Sequence, residues 1–125
     1  MEKFSTQKRL KSFTYAWKGI GSFICKEHNA WIHLVITIAV IICGFMFQIT
    51  SIEWIAIIFC IGLVLAAEAF NTAIERLVNL VSPGQNKTAG DVKDIAAGAV
   101  LITAITAAIV GLFIFTPYIV VEYFR

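Results

Sequence analysis

The chain has 125 residues, of which 59% are hydrophobic and 14% charged, with a formal net charge of +2 and a mean hydropathy of +0.85. Soluble domains carry about 25% charged residues, and a chain this small lacks the volume to surround long charge-free helices, so a water-soluble fold is excluded. One integral-membrane domain over residues 1–125 is expected, with no nucleic-acid partner.

The first element is a predicted helix over residues 4–27. Leu10, Phe13, Trp17, Ile20 and Ile24 are spaced by three, four, three and four, which places them on one narrow face. Lys8, Lys11, Tyr15, Lys18 and Lys26 fall on the broad opposite side. Such a helix is too polar to span and lies in the membrane interface, its apolar stripe in the acyl boundary. The basic face suits anionic lipid, and with Tyr15 it also suits an anionic ligand such as a nucleotide. No apolar core with a small-residue cleavage site follows directly, as a cleavable signal would need.

Three membrane helices are expected next, over residues 31–49, 52–80 and 92–118. No Asp, Glu, Lys or Arg occurs from His28 to Ile52, from Trp54 to Ala67, or from Ile95 to Val121, and a span needs about 20 apolar residues. Residues Ser82 to Gly90 hold Pro83, Gly84, Asn86 and Gly90 and break the second helix from the third. Ala96, Ala97, Gly98 and Ala99 suit close helix packing. Lys3, Lys8, Arg9, Lys11, Lys18 and Lys26 precede the first span, and Arg76, Lys87 and Lys93 flank the second connection. Basic residues are retained on the cytoplasmic side, so the N-terminus and that connection are expected there. Trp31, Trp54, Tyr118 and Tyr123 read as interfacial anchors, and His28 and His33 as interfacial polar residues. Cys25, Cys43 and Cys60 show no paired spacing and read as small apolar fillers.

The second span carries the chemistry. Glu68 follows Glu53 by fifteen residues, roughly 22 Å along a helix, toward the cytoplasmic side of the hydrocarbon. Glu68, Asn71, Glu75 and Asn79 recur at i, i+3, i+7 and i+11 and share an arc of roughly 80°. A carboxylate at membrane depth must be neutralised, paired or hydrated, and marks a functional site by default. A protonated Glu68 bonded to a neighbouring helix is the structural alternative. Two carboxylates and two amides on one stripe suit Mg²⁺, which binds through one or two carboxylates plus substrate phosphates. Glu27, Lys93 and Asp94 lie at the same level, so one mouth gathers acids and a lysine. These are the parts of a phosphoryl-transfer site. No Walker-type GxxxxGK[ST] occurs.

The run Glu68-Ala-Phe-Asn71-Thr72-Ala-Ile-Glu75 closely resembles the signature of the bacterial integral-membrane diacylglycerol kinase and undecaprenol kinase family. Tyr15-Ala-Trp17-Lys18-Gly19, Glu27 and Lys93-Asp94-Ile-Ala-Ala-Gly-Ala-Val extend the likeness over nearly the whole chain. The resemblance implies an all-α homotrimer of three-span subunits in the bacterial cytoplasmic (inner) membrane, with composite sites on the cytoplasmic side. It implies ATP- and Mg²⁺-dependent transfer of phosphate to a membrane lipid alcohol. Glu68 would be the general base toward the lipid hydroxyl. Glu27 and Glu75 would hold Mg²⁺ with the ATP phosphates, and Lys93 would contact phosphate. Tyr15, Asp94 and the loop from Gly84 to Asn86 would border the nucleotide, while Asn71 and Lys18 give polar support. The Ala-Ala-Gly-Ala-Val opening of span three and the later Gly-Leu-Phe-Ile-Phe-Thr-Pro look like the undecaprenol branch. The chain departs from the pattern at Asn79, where the family usually has aspartate, and in the loop Pro83-Gly84-Gln85-Asn86, which lacks acidic, aromatic and histidine residues. The rival readings are a small transporter using Glu68 as a proton-coupled carboxylate, and an inactive membrane subunit.

Overall fold

The computed structural model describes residues 5–125; Lys3 and the first residue of the expected 4–27 helix lie outside them. The described residues form four helices and no strand. Helix α1, Thr6–Lys26, starts where the Ser5 hydroxyl accepts from the backbone N–H of Lys8. All residues from Thr6 to Gly21 are exposed, including the stripe residues Leu10, Phe13, Trp17 and Ile20. Among the described residues the stripe from Leu10 to Ile20 stays exposed while Ile24 is half-buried, an exposure that suits an interfacial helix.

Glu27 alone separates α1 from α2, His28–Met46. Its extended backbone, at φ −108° and ψ 121°, lets the chain change direction within one residue. Helix α2 therefore begins and ends three residues earlier than expected: the Glu27 corner restarts the helix at once. At its far end Gln48 adopts φ 50°, a left-handed conformation that stops the helix and turns the chain.

Helix α3, Ser51–Val81, opens with a reciprocal cap: Thr50 accepts from the Glu53 N–H, and the Glu53 carboxylate accepts from the Thr50 N–H at 2.7 Å. Helix α4, Lys87–Tyr123, begins at the Asn86 cap, whose side chain accepts from the Ala89 N–H. That cap starts the helix five residues before the expected Val92 and places Gly90 inside it. Pro117 also lies within α4, which runs on to Tyr123 rather than ending at Tyr118.

Helix α4 packs mainly on α3, and α2 packs on α3 less extensively. The buried cluster Ile49, Ile57 and Ile114 sits near the α2–α3 turn with Phe47, Trp54 and Phe115 around it. Gly44 makes this end possible: a Cβ there would come within 2.6 Å of the Trp54 ring. Tyr118 donates to Glu53 Oε2 at 2.7 Å. Trp54 and Tyr118 thus pack within the chain, a role beyond the interfacial anchoring expected of them. Of the small run opening α4, only Ala96 is buried, and Ala97 and Ala99 face outward.

Three helices, α2, α3 and α4, are long and apolar enough to cross a membrane, and side chains such as Phe59, Leu63, Ile102 and Phe113 are exposed along them. An apolar exterior on long helices is the arrangement a bilayer requires.

Candidate active site

Apolar surface faces outward in this fold, while the buried polar side chains among the described residues are Glu68, Asn71 and Thr72. They sit within about one turn of α3. Glu68 is 3% exposed. Its Oε2 lies 3.8 Å from Nε2 of His33 on α2, itself 19% exposed in its side chain. His33 is therefore not a simple interfacial residue; six positions after Glu27, it faces the acid that the sequence singles out.

Further along the same face, Asn71 donates through Nδ2 to Glu75 Oε1 at 3.3 Å. Its other end, Oδ1, is buried without a hydrogen-bond partner. Buried polar atoms are almost always satisfied, so an orphaned amide oxygen beside a carboxylate points to a ligand. Hard oxygens of this kind fit Mg²⁺. Among the described residues no group of three or more His, Cys, Asp or Glu forms a ready-made metal site.

Glu27 is joined to α3 through Arg76, whose place in the sequence reads only as a flanking positive charge. Arg76, next to Glu75, bonds Glu27 Oε1 at 2.6 Å through one guanidinium nitrogen and Ser22 Oγ at 3.1 Å through another. The fork ties the α1–α2 corner to α3. Its signal in the sequence is adjacency to Glu75 alone.

Lys93 donates to Asn79 Oδ1 at 2.5 Å, joining the start of α4 to the end of the α3 stripe. Lys93, Asn79 and residues 82–87 line a recess of about 590 Å³, so Asn86 and Lys93 share one polar hollow. Tyr15 and Lys18 lie on exposed α1, the lysine nitrogen 5.9 Å from the ring centre. Asp94 is exposed. No hydrogen bond or ion pair joins Tyr15, Lys18 or Asp94 to Glu68, Glu75 or Lys93 within one chain.

A second cavity, of about 290 Å³, runs between α2, α3 and α4 from His33 to Phe115, past Ile36, Val64 and Ala104. Its walls are almost entirely apolar. Chemically, the chain presents a buried carboxylate beside His33, which lines an apolar cavity, two oxygen donors further along α3, and Lys93 with Arg76 on the side toward the loop.

The family profile described as prokaryotic diacylglycerol kinase matches residues 14–115. The chain is 41% identical over 107 residues to an undecaprenol kinase of Bacillus subtilis, covering 86% of this chain and 87% of that protein. It is 38% identical over 103 residues to a diacylglycerol kinase of a Synechocystis species, covering 82% of this chain and 59% of that one. A diacylglycerol kinase of Escherichia coli is 29% identical over 108 residues, with 80% and 82% covered.

Proposed function

The chain belongs to the prokaryotic diacylglycerol kinase family, and on that footing we propose that it transfers the γ-phosphate of ATP to the hydroxyl of a membrane lipid, undecaprenol in preference to diacylglycerol. The observation that carries this reading is Glu68: a carboxylate almost wholly buried in an apolar helix, 3.8 Å from His33, which lines an apolar cavity. A lipid alcohol whose chain enters that cavity brings its hydroxyl to Glu68. The carboxylate accepts the hydroxyl proton as the lipid oxygen bonds to the γ-phosphorus, and the bond from that phosphorus to the ADP oxygen breaks.

Glu75, Asn71 and Glu27 would hold Mg²⁺, which when bound offsets the phosphate charge. Lys93 contacts the phosphates from the polar recess, with Asn86, Asp94 and Tyr15 around the nucleotide and Lys18 as polar support. Because Tyr15, Lys18 and Asp94 stand apart from Glu75 within one chain, a homotrimer with sites shared between subunits is the assembly this reading favours. The lysines of α1 and the second connection favour a site on the cytoplasmic face, in this reading of a bacterial inner membrane. The preference for undecaprenol rests on the 41% identity to the Bacillus subtilis protein.

The test is transfer from radiolabelled ATP by purified protein in bicelles containing undecaprenol or diacylglycerol. Faster labelling of undecaprenol supports the proposal. Faster labelling of diacylglycerol reverses the acceptor preference, and labelling of neither removes the kinase reading.

A further inference from the structure

Among the described residues, His33 is the one charge-capable side chain within 4 Å of the Glu68 carboxylate, and neither the sequence signature nor the proposed chemistry uses it. Glu68 is 3% exposed, and among the described residues no other side chain makes an ion pair or hydrogen bond with its carboxylate. His33 Nε2 is 3.8 Å from Oε2, beyond a hydrogen bond and within a small side-chain rotation of one. The imidazole comes from a different helix, so the approach is a tertiary contact that α2–α3 packing fixes. The cavity lining from α4 (Ala104, Ala107, Ala108, Gly111 and Phe115) offers no polar side chain to compete. His33 also stands in the lining itself, between the acceptor's chain and the base.

We infer that His33 is a positioning residue for Glu68: its Nε2–H donates to Oε2 and leaves Oε1 aimed at the lipid hydroxyl. The inference rests on the kinase reading above. A buried carboxylate with one fixed oxygen presents the other in a single orientation. A base held in near-attack geometry is worth far more than one free to rotate.

The length of the side chain supplies the test. Glutamine carries an amide N–H about as far from the backbone as Nε2; asparagine carries it one methylene short. Kinetics on His33→Leu, His33→Gln and His33→Asn, each checked for the native elution profile in detergent, should separate kcat from KM. His33→Leu and His33→Asn are expected to lower kcat by about 10- to 100-fold, with the KM for ATP unchanged. His33→Gln should recover to within about threefold of the parent. In a Glu68→Gln background, His33→Leu should bring no further loss, because the residue it positions is gone.

Parental kcat in His33→Leu overturns the inference while the kinase reading stands. So does equal loss in the Gln and Asn variants, or a further drop in the Glu68→Gln background. A parent protein that phosphorylates neither lipid overturns the kinase reading and this inference with it.

Discussion

Arg76 and Glu27 lie 49 residues apart in the chain and 2.6 Å apart in space. The contact fixes the one-residue corner between α1 and α2 against the helix that bears Glu68 and Glu75. Both side chains are partly exposed, 46% and 27%, so the pair adds only about 0–1 kcal/mol to stability. Its consequence is placement. Arg76→Gln should leave thermal stability in detergent within a few degrees of the parent, and raise the KM for ATP by about 3- to 10-fold by freeing Glu27. Initial rates across an ATP titration check this, and an unchanged KM would separate Glu27 from the nucleotide.

Glu75→Gln keeps the Asn71 contact possible while removing the negative charge. The Mg²⁺ concentration giving half-maximal activity should rise by about tenfold or more, since one ligand charge is lost. A rate-against-Mg²⁺ curve that does not move would take Glu75 out of the metal shell.

Lys93 joins the polar recess through Asn79. Lys93→Met should lower kcat/KM for ATP by about 10- to 100-fold, the worth of a charge-assisted hydrogen bond. Direct nucleotide binding by calorimetry checks the assignment, and parental affinity would refute it.

Most of the architecture can be read from where charge is missing. Three charge-free stretches and a stripe at three–four spacing suffice for four helices, three of them able to span a membrane, because bilayer thickness and helical periodicity leave few alternatives. The stripe from Glu68 to Asn79 is equally legible, since one helix supplies all of it. What spacing could not yield are contacts between helices: His33 with Glu68, Arg76 with Glu27, Lys93 with Asn79. Each depends on the rotation of one helix about its axis relative to another, which no single-helix pattern encodes. The helix ends moved for a local reason. Glu27 is a corner set by its extended backbone, and Asn86 a cap whose side chain accepts from the Ala89 N–H.

The distal core offers a stability test independent of chemistry. Gly44→Ala would set a methyl group 2.6 Å from the Trp54 ring, and Trp54 also packs on Phe45 with ring centres 4.9 Å apart. Overpacking of this kind costs about 1–3 kcal/mol. A lower midpoint of thermal unfolding in detergent is expected, with kcat per folded molecule preserved because Glu68 is remote from this end.

The buried carboxylate remains the centre of the account, and Glu68→Gln isolates it by removing a proton acceptor at almost constant volume. Single-turnover phosphate transfer and nucleotide affinity, measured on the same preparation, form the decisive pair. The account expects the transfer rate to fall by about 10²- to 10⁴-fold while ATP affinity stays within about threefold of the parent. Parental transfer by the Gln variant, or loss of nucleotide binding with chemistry intact at saturating ATP, would contradict Glu68 as the base.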